Sequence, residues 1–111
     1  MKCTLTALTL AATMFASSAS AFDPAHLQQL KNTGKCATCD LGGADLSGAK
    51  LISANLMRAN LKGASLFYTD LRGAKLSGAN LIGADLSYAN MQGAILCNTT
   101  MPDGSVIYSG C

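Results

Sequence analysis

Four residues, Cys36-Ala37-Thr38-Cys39, set two thiols at a spacing used by redox pairs, zinc sites and covalent haem attachment. Each of those chemistries asks for something more. Covalent haem needs a histidine directly after the second cysteine, and Asp40 stands there. A four-cysteine zinc site needs a second close pair, whereas Cys97 and Cys111 lie far apart in the chain. A thioredoxin-like pair takes its thiolate stability from a helix N-terminus. Here the preceding segment reads as a helix ending near Gly34, so the dipole has the wrong sign and Lys35 alone helps. The pair therefore reads first as a structural disulfide. A redox or metal-binding protein of the cell envelope is the alternative.

The other residues with chemical capacity are scattered. His26 is alone and reads as a plain helix residue. Asp45, Asp70 and Asp85 fall at outward positions and read as solvated corners. No Ser-His-Asp set, paired-carboxylate site, phosphate loop or metal cluster can be assembled, so the expectation is no enzyme, no cofactor and no metal.

The chain has 111 residues, half of them hydrophobic, with no Trp, three Tyr and three Phe. Such a composition fits one domain and a narrow, regular core of Ala and Leu. A formal charge of +2 is too small to imply nucleic acid as a partner and has the wrong sign for a mimic of it. Residues 1–21 read as a cleaved signal peptide. Lys2 precedes an apolar run from Leu5 to Phe15, and small residues end in Ala19-Ser20-Ala21. That run is about half the ~20 residues a membrane span requires, so no membrane span is expected. The mature chain would begin at Phe22 and be exported, as a periplasmic or secreted protein, or to the thylakoid lumen if the source is photosynthetic. Cleavage removes Cys3 and leaves Cys36, Cys39, Cys97 and Cys111. An even count in a short exported chain reads as a disulfide framework.

These residues hang on a period of five. From Leu41 to Leu86 a leucine recurs at every fifth position, and Met91, Leu96, Met101 and Val106 continue the register. Ala stands two places before most of these centres, with Cys39, Thr69, Thr99 and Gly104 as exceptions, and Gly often ends the unit. Fourteen units without a slip mean a solenoid, in which each unit buries its apolar residues only by stacking on neighbours. The chain must turn a corner every five residues, and Gly suits a backbone that turns.

With its A-[D/N]-L-x-x pattern the segment from Cys39 to about Tyr108 resembles the pentapeptide-repeat family. The resemblance implies an all-β solenoid: a right-handed quadrilateral β-helix of about three and a half coils, twenty residues to a coil, with a short N-terminal capping α-helix. The expected organisation is a capping helix over 22–35, a repeat domain over 36–108 and a tail over 109–111 closed by a disulfide. In the cap, Asp23 suits the N-cap, Pro24 the first turn and Gly34 the terminator. Stacked coils separate Cys39 from Cys97 by nearly three layers, roughly 14 Å at ~4.8 Å per coil. That is too far for a disulfide, which favours Cys36–Cys39 and Cys97–Cys111. Residues twenty apart should form columns: Tyr68, Tyr88 and Tyr108 in one, Phe67, Ser87 and Ile107 beside it, and Lys50 over Asp70 as a modest ion pair.

The reading that follows is a non-catalytic exported structural or protein-interaction module, a monomer or weak homodimer. Its expected interaction face carries Phe67, Tyr68, Tyr88, Ile107 and Tyr108, toward an unknown protein partner. Duplex mimicry directed at a DNA-binding enzyme, a role some family members fill, needs a longer acidic rod than this chain supplies.

Overall fold

A computed structural model describes residues 22–111; the signal peptide expected over 1–21 lies outside them. The element order is α1 (Pro24–Thr33), then a long run of bridged corners, then β1 (Leu96–Thr100) and β2 (Val106–Ser109). Between Lys35 and Thr100, single residues twenty apart pair in parallel: Lys35 with Asn55, Asp40 with Asn60, and so on to Asn80 with Thr100. Each twenty-residue coil therefore has four sides of five residues.

One turn explains the period. The N–H of Ala44 donates to the C=O of Leu41 at 3.0 Å, and Ala49, Ala54, Ala59 and Ala64 repeat the bond. The residue before each of these alanines has positive φ, the third position of a type II turn. Gly takes that position without steric cost. Thr38, Ser53, Arg58, Tyr68, Tyr88 and Asn98 adopt the same left-handed conformation, with φ near 60°, which a side chain tolerates less well.

The residue before each leucine has its own task. Asp45, Asn60, Asn80, Asp85 and Asn90 each accept, through Oδ1, the N–H two residues on. Asp45 and Asp85 are thus corner-forming residues rather than merely solvated ones. The inward pair fills the axis: Leu41, Leu56, Leu61, Leu66, Leu71, Leu76 and Leu81 are fully buried, with alanines between them. Each such leucine contributes about 1.5–3 kcal/mol by leaving water. Thr69 and Thr99 occupy the alanine slot and are equally buried. Their Oγ1 atoms donate to the C=O of Leu46 (2.7 Å) and Leu76 (2.6 Å), which offsets the burial of the hydroxyl.

At the N-terminal end α1 replaces a missing coil. Asp23 caps it by accepting the Ala25 N–H at 2.9 Å, and Gly34 ends it in the left-handed region. Leu30 is buried, and Phe22 and Leu27 pack beside it on the core. Its polar groups take the bonds a coil below would make. The Asp23 N–H donates to the Asp40 C=O, and His26 Nδ1 accepts the Asp40 N–H at 2.8 Å. Gln29 Nε2 donates to the Lys35 C=O, and Thr33 Oγ1 accepts the Lys35 N–H. His26, expected to be a plain helix residue, is therefore a docking residue.

At the other end the repeat stops earlier than its sequence register. Met101 still centres a side, with the Leu81 N–H on the Thr100 C=O and the Gly83 N–H on the Pro102 C=O, but Val106 does not. Pro102-Asp103-Gly104-Ser105 reverses the chain, held by bonds from Met101 N–H to Ser105 C=O and from Gly104 N–H to Met101 C=O. β2 then pairs antiparallel with β1, Leu96 opposite Ser109 and Thr100 opposite Val106, with a bulge at Asn98. The boundary expected at 108/109 consequently falls inside a strand. Proline and a left-handed glycine override the five-residue register at this point.

Candidate functional site

Left-handed corners throw their side chains off the solenoid, and on one corner two of those side chains are tyrosines. Tyr68 and Tyr88, one coil apart, stack with ring centroids 4.9 Å apart and planes 10° from parallel. Phe67 stands edge-on to both, at 4.5 and 5.8 Å, a favoured aromatic geometry. The rings remain largely in solvent: Tyr88 is 74% exposed, Tyr68 59% and Phe67 37%. The expected column ends there. Tyr108 sits on β2 opposite Cys97, and Ile107 opposite Thr99, because the 102–105 turn carries them away from the twenty-residue stack. The five residues expected on one face thus divide into an aromatic cluster on the coil wall and two residues of the hairpin.

The cysteines form the pairs Cys36–Cys39 and Cys97–Cys111, with Cα atoms 5.2 and 4.9 Å apart. Cys36 occupies a leucine slot, one unit before Leu41, and Cys39 an alanine slot. The Cys36 N–H donates to Asn55 C=O as the Leu41 N–H does to Asn60 C=O. The bridge therefore replaces a Leu–Ala pair on the axis, and both residues are buried. Extending the five-residue register back to position 36 would have revealed this placement. Thiol exchange needs a nucleophile to reach sulfur, and α1 covers these sulfurs, with the His26 C=O 3.3 Å from Cys36 Sγ. Cys97–Cys111, in contrast, lies at the outer surface and ties the last residue to β1.

The charged groups make local pairs. Asp70 was expected to pair with Lys50 across coils. Its carboxylate instead holds Arg72, with Nη2 at 2.7 Å and Nε at 2.8 Å, because a residue two places along the chain reaches it on the same corner. Those hydrogen bonds keep the Asp70 carboxyl below its ordinary range. Bonds from Ser47, Ser87 and Ser105 lower Asp45, Asp85 and Asp103 in the same way. A surface groove of about 250 Å³ between Arg58 and Asn98 is lined also by Met57, Ser77, Gly78 and Cys97. It holds one cation and no nucleophile–base pair. Among the described residues, no three His, Cys, Asp or Glu side chains gather as metal ligands, and no helix is long and apolar enough to cross a membrane.

Residues 39–78 and 64–101 match the family model for pentapeptide repeats. No curated protein matches the chain. Among solved structures, the pentapeptide repeat protein Rfr23 of the cyanobacterium Cyanothece 51142 is 33% identical. The match has a TM-score of 0.49 and covers 54% of this chain and 48% of that one. HetL, a pentapeptide repeat protein involved in heterocyst differentiation regulation in the cyanobacterium Nostoc sp. strain PCC 7120, is 35% identical. Its TM-score is 0.52, over 66% of this chain and 43% of HetL. A pentapeptide repeat protein of the Arabidopsis thaliana thylakoid lumen is 28% identical, with a TM-score of 0.24, over 67% of this chain and 70% of that one. The chain spans about half the length of Rfr23 and of HetL.

Proposed function

This chain belongs to the pentapeptide-repeat family, whose fold is a right-handed β-helix and whose members are generally non-catalytic, and from that premise we propose that it is an exported protein-interaction module. The observation that carries the proposal is the exposed aromatic cluster of Phe67, Tyr68 and Tyr88 on the coil wall. An aromatic ring can bury a large area while a tyrosine hydroxyl stays wet, which is why such residues dominate interfaces. Ile107 and Tyr108, on the hairpin, lie outside this cluster. Two bridges, one on the axis and one on the hairpin, would hold the short rod rigid in an oxidising compartment, in keeping with the leader-like pattern of residues 1–21. The working rod is quadrilateral, about three coils long, with α1 as its N-terminal cap.

Replacing Tyr68 and Tyr88 together by Ser tests the reading. The fold should survive, because neither ring is in the core, and association with native envelope proteins should be lost in co-sedimentation. A folded double variant that keeps every native association would overturn the interaction role of this face.

A further inference from the structure

The backbone of this solenoid has a direction that its side chains hide. Between coils, each five-residue side uses three hydrogen bonds, and the two strand edges contribute unequally. The Leu66 N–H donates to Asp85 C=O (2.8 Å) and the Tyr68 N–H to Ser87 C=O (3.0 Å), while the Ala64 C=O accepts the Asp85 N–H (3.0 Å). The edge facing the C-terminal end thus offers two donors and one acceptor per side. The edge facing the N-terminal end offers one donor and two acceptors.

At the C-terminal end β2 covers one side of the last coil and leaves two uncovered. The N–H groups of Leu86, Tyr88, Met91 and Gly93, and the C=O groups of Ala84 and Ala89, have no partner among the described residues. The inward side chains there, Leu86 and Met91, are half-buried, whereas Leu66 and Leu71 beneath them are fully buried. Beside this edge the Tyr88 ring tops the aromatic stack with its outer face free.

We propose that residues 84–93 are a strand-addition site for an extended segment of another protein, running parallel to them. The segment supplies two carbonyls and one N–H per five residues, the complement of the edge. Its side chains are those of the missing coil: a small residue against the alanine slot, an aliphatic residue two places on over Leu86, and an aromatic two places after that on Tyr88. Parallel direction follows from the bridges between coils, all of which are parallel, in contrast to the antiparallel hairpin strand, and recognition of this kind takes affinity from the main chain and selectivity from alternate side chains. A second copy does not fit. Two C-terminal ends would set donors against donors, and in a head-to-tail contact α1, docked on the Lys35 and Asp40 backbone, would meet β2, which covers the Leu96 side of the same column. This proposal names the partner chemistry of the interaction module and rests on that reading.

The test is an amide-resolved NMR titration of the full, disulfide-bonded chain with a blocked decapeptide of the sequence of residues 84–93. Saturable shifts are expected at the Leu86, Tyr88, Met91 and Gly93 amides, with Leu61 and Leu66 unmoved and a scrambled peptide ineffective. Tyr88→Gly keeps the left-handed corner and the edge, and should weaken binding about two- to tenfold through lost ring stacking. No shift at millimolar peptide, or equal shifts with the scrambled peptide, overturns strand addition. So do shifts of the same amides with protein concentration alone, which assign the edge to a second copy. If the peptide fails but the Tyr68→Ser/Tyr88→Ser variant still loses its native partners, the interaction face stands and this edge is not its site.

Discussion

The two ends of the solenoid face the same problem and meet it unequally. An open coil leaves backbone groups unpaired and the apolar axis bare. At the N-terminal end α1 supplies donors and acceptors in the geometry of the absent coil, and Leu46 and Leu51 stay buried although they belong to the first coil. At the C-terminal end the hairpin covers one side, and Leu86, Met91, Leu96 and Met101 remain half-buried. The disulfides follow the same division. Cys36–Cys39 is a core element beneath a lid, and Cys97–Cys111 is a strap over a surface. A helix can reach several edge groups with different side chains, whereas an antiparallel strand satisfies only the one edge it lies along.

The sharpest way to break this comparison uses one column, Leu46, Leu66 and Leu86, which stand one coil apart. Leu66→Asp should unfold the chain, because a carboxylate on the axis has no partner. Leu66→Ala and Leu46→Ala should each cost about 2–5 kcal/mol, and Leu86→Ala clearly less, about 1 kcal/mol, since its site already reaches water. Denaturant titration of the three alanine variants checks the order. Equal losses at Leu46 and Leu86 would mean that the ends are equally sealed.

Next in size are the bridges. Cys97→Ser with Cys111→Ser opens a 14-residue separation and should cost about 3 kcal/mol in the chain-entropy account. Hydrogen exchange should show β2 losing protection while the coils keep theirs. Cys36→Leu with Cys39→Ala restores the repeat's own side chains on the axis, so it should cost less than its loss of cross-link alone, which is about 2 kcal/mol for so short a loop. A larger loss from the second pair than from the first would reverse the assignment of lid and strap.

The N-terminal lid itself is tested at His26. His26→Asn keeps an acceptor near Nδ1, and His26→Leu leaves the Asp40 N–H without one. The Leu variant should lose about 1–2 kcal/mol more than the Asn variant, with faster hydrogen exchange at the Asp40 amide. If both variants behave alike, the bond from Asp40 to His26 contributes nothing to docking.

How much of this was legible beforehand depends on which force specifies each part. The axis and the corners were readable because burial and turn sterics repeat every five residues, so Leu, Ala and Gly mark their own places. Helix α1 was readable from Asp23, Pro24 and Gly34, each of which answers a local backbone demand. His26 was not, since its partner is a backbone amide fourteen residues away and leaves no mark in the sequence. The end of the repeat was missed for a related reason. Val106 keeps the hydrophobic register, yet the turn at Pro102–Ser105 decides the path, and the aromatic face loses Tyr108 and Ile107 with it. Asp70 was assigned to Lys50 by coil geometry, when Arg72, two residues away, was the shorter reach.

The smallest effect concerns acid. Hydrogen bonds from Ser47 and Ser87 hold the Asp45 and Asp85 carboxyls below their ordinary range of about 3.8. A carboxyl whose folded pKa is depressed stabilises the fold above its unfolded value and loses that contribution as pH falls through the folded one. Stability should therefore decline below about pH 4, in small steps, because both groups are in solvent. Asn fills the same corner slot at Asn60, Asn80 and Asn90, with the same bond to the N–H two residues on. Asp45→Asn combined with Asp85→Asn should thus leave stability at pH 7 nearly unchanged and flatten the decline toward pH 3. One carboxylate belongs to the first coil and the other to the last, so each single variant also reports on its own end. If Asp85→Asn flattens the curve more than Asp45→Asn, the acid-sensitive end is the one the hairpin leaves open. An unaltered decline in the double variant would place the acid sensitivity elsewhere, with Asp70 and its Arg72 partner the next pair to remove.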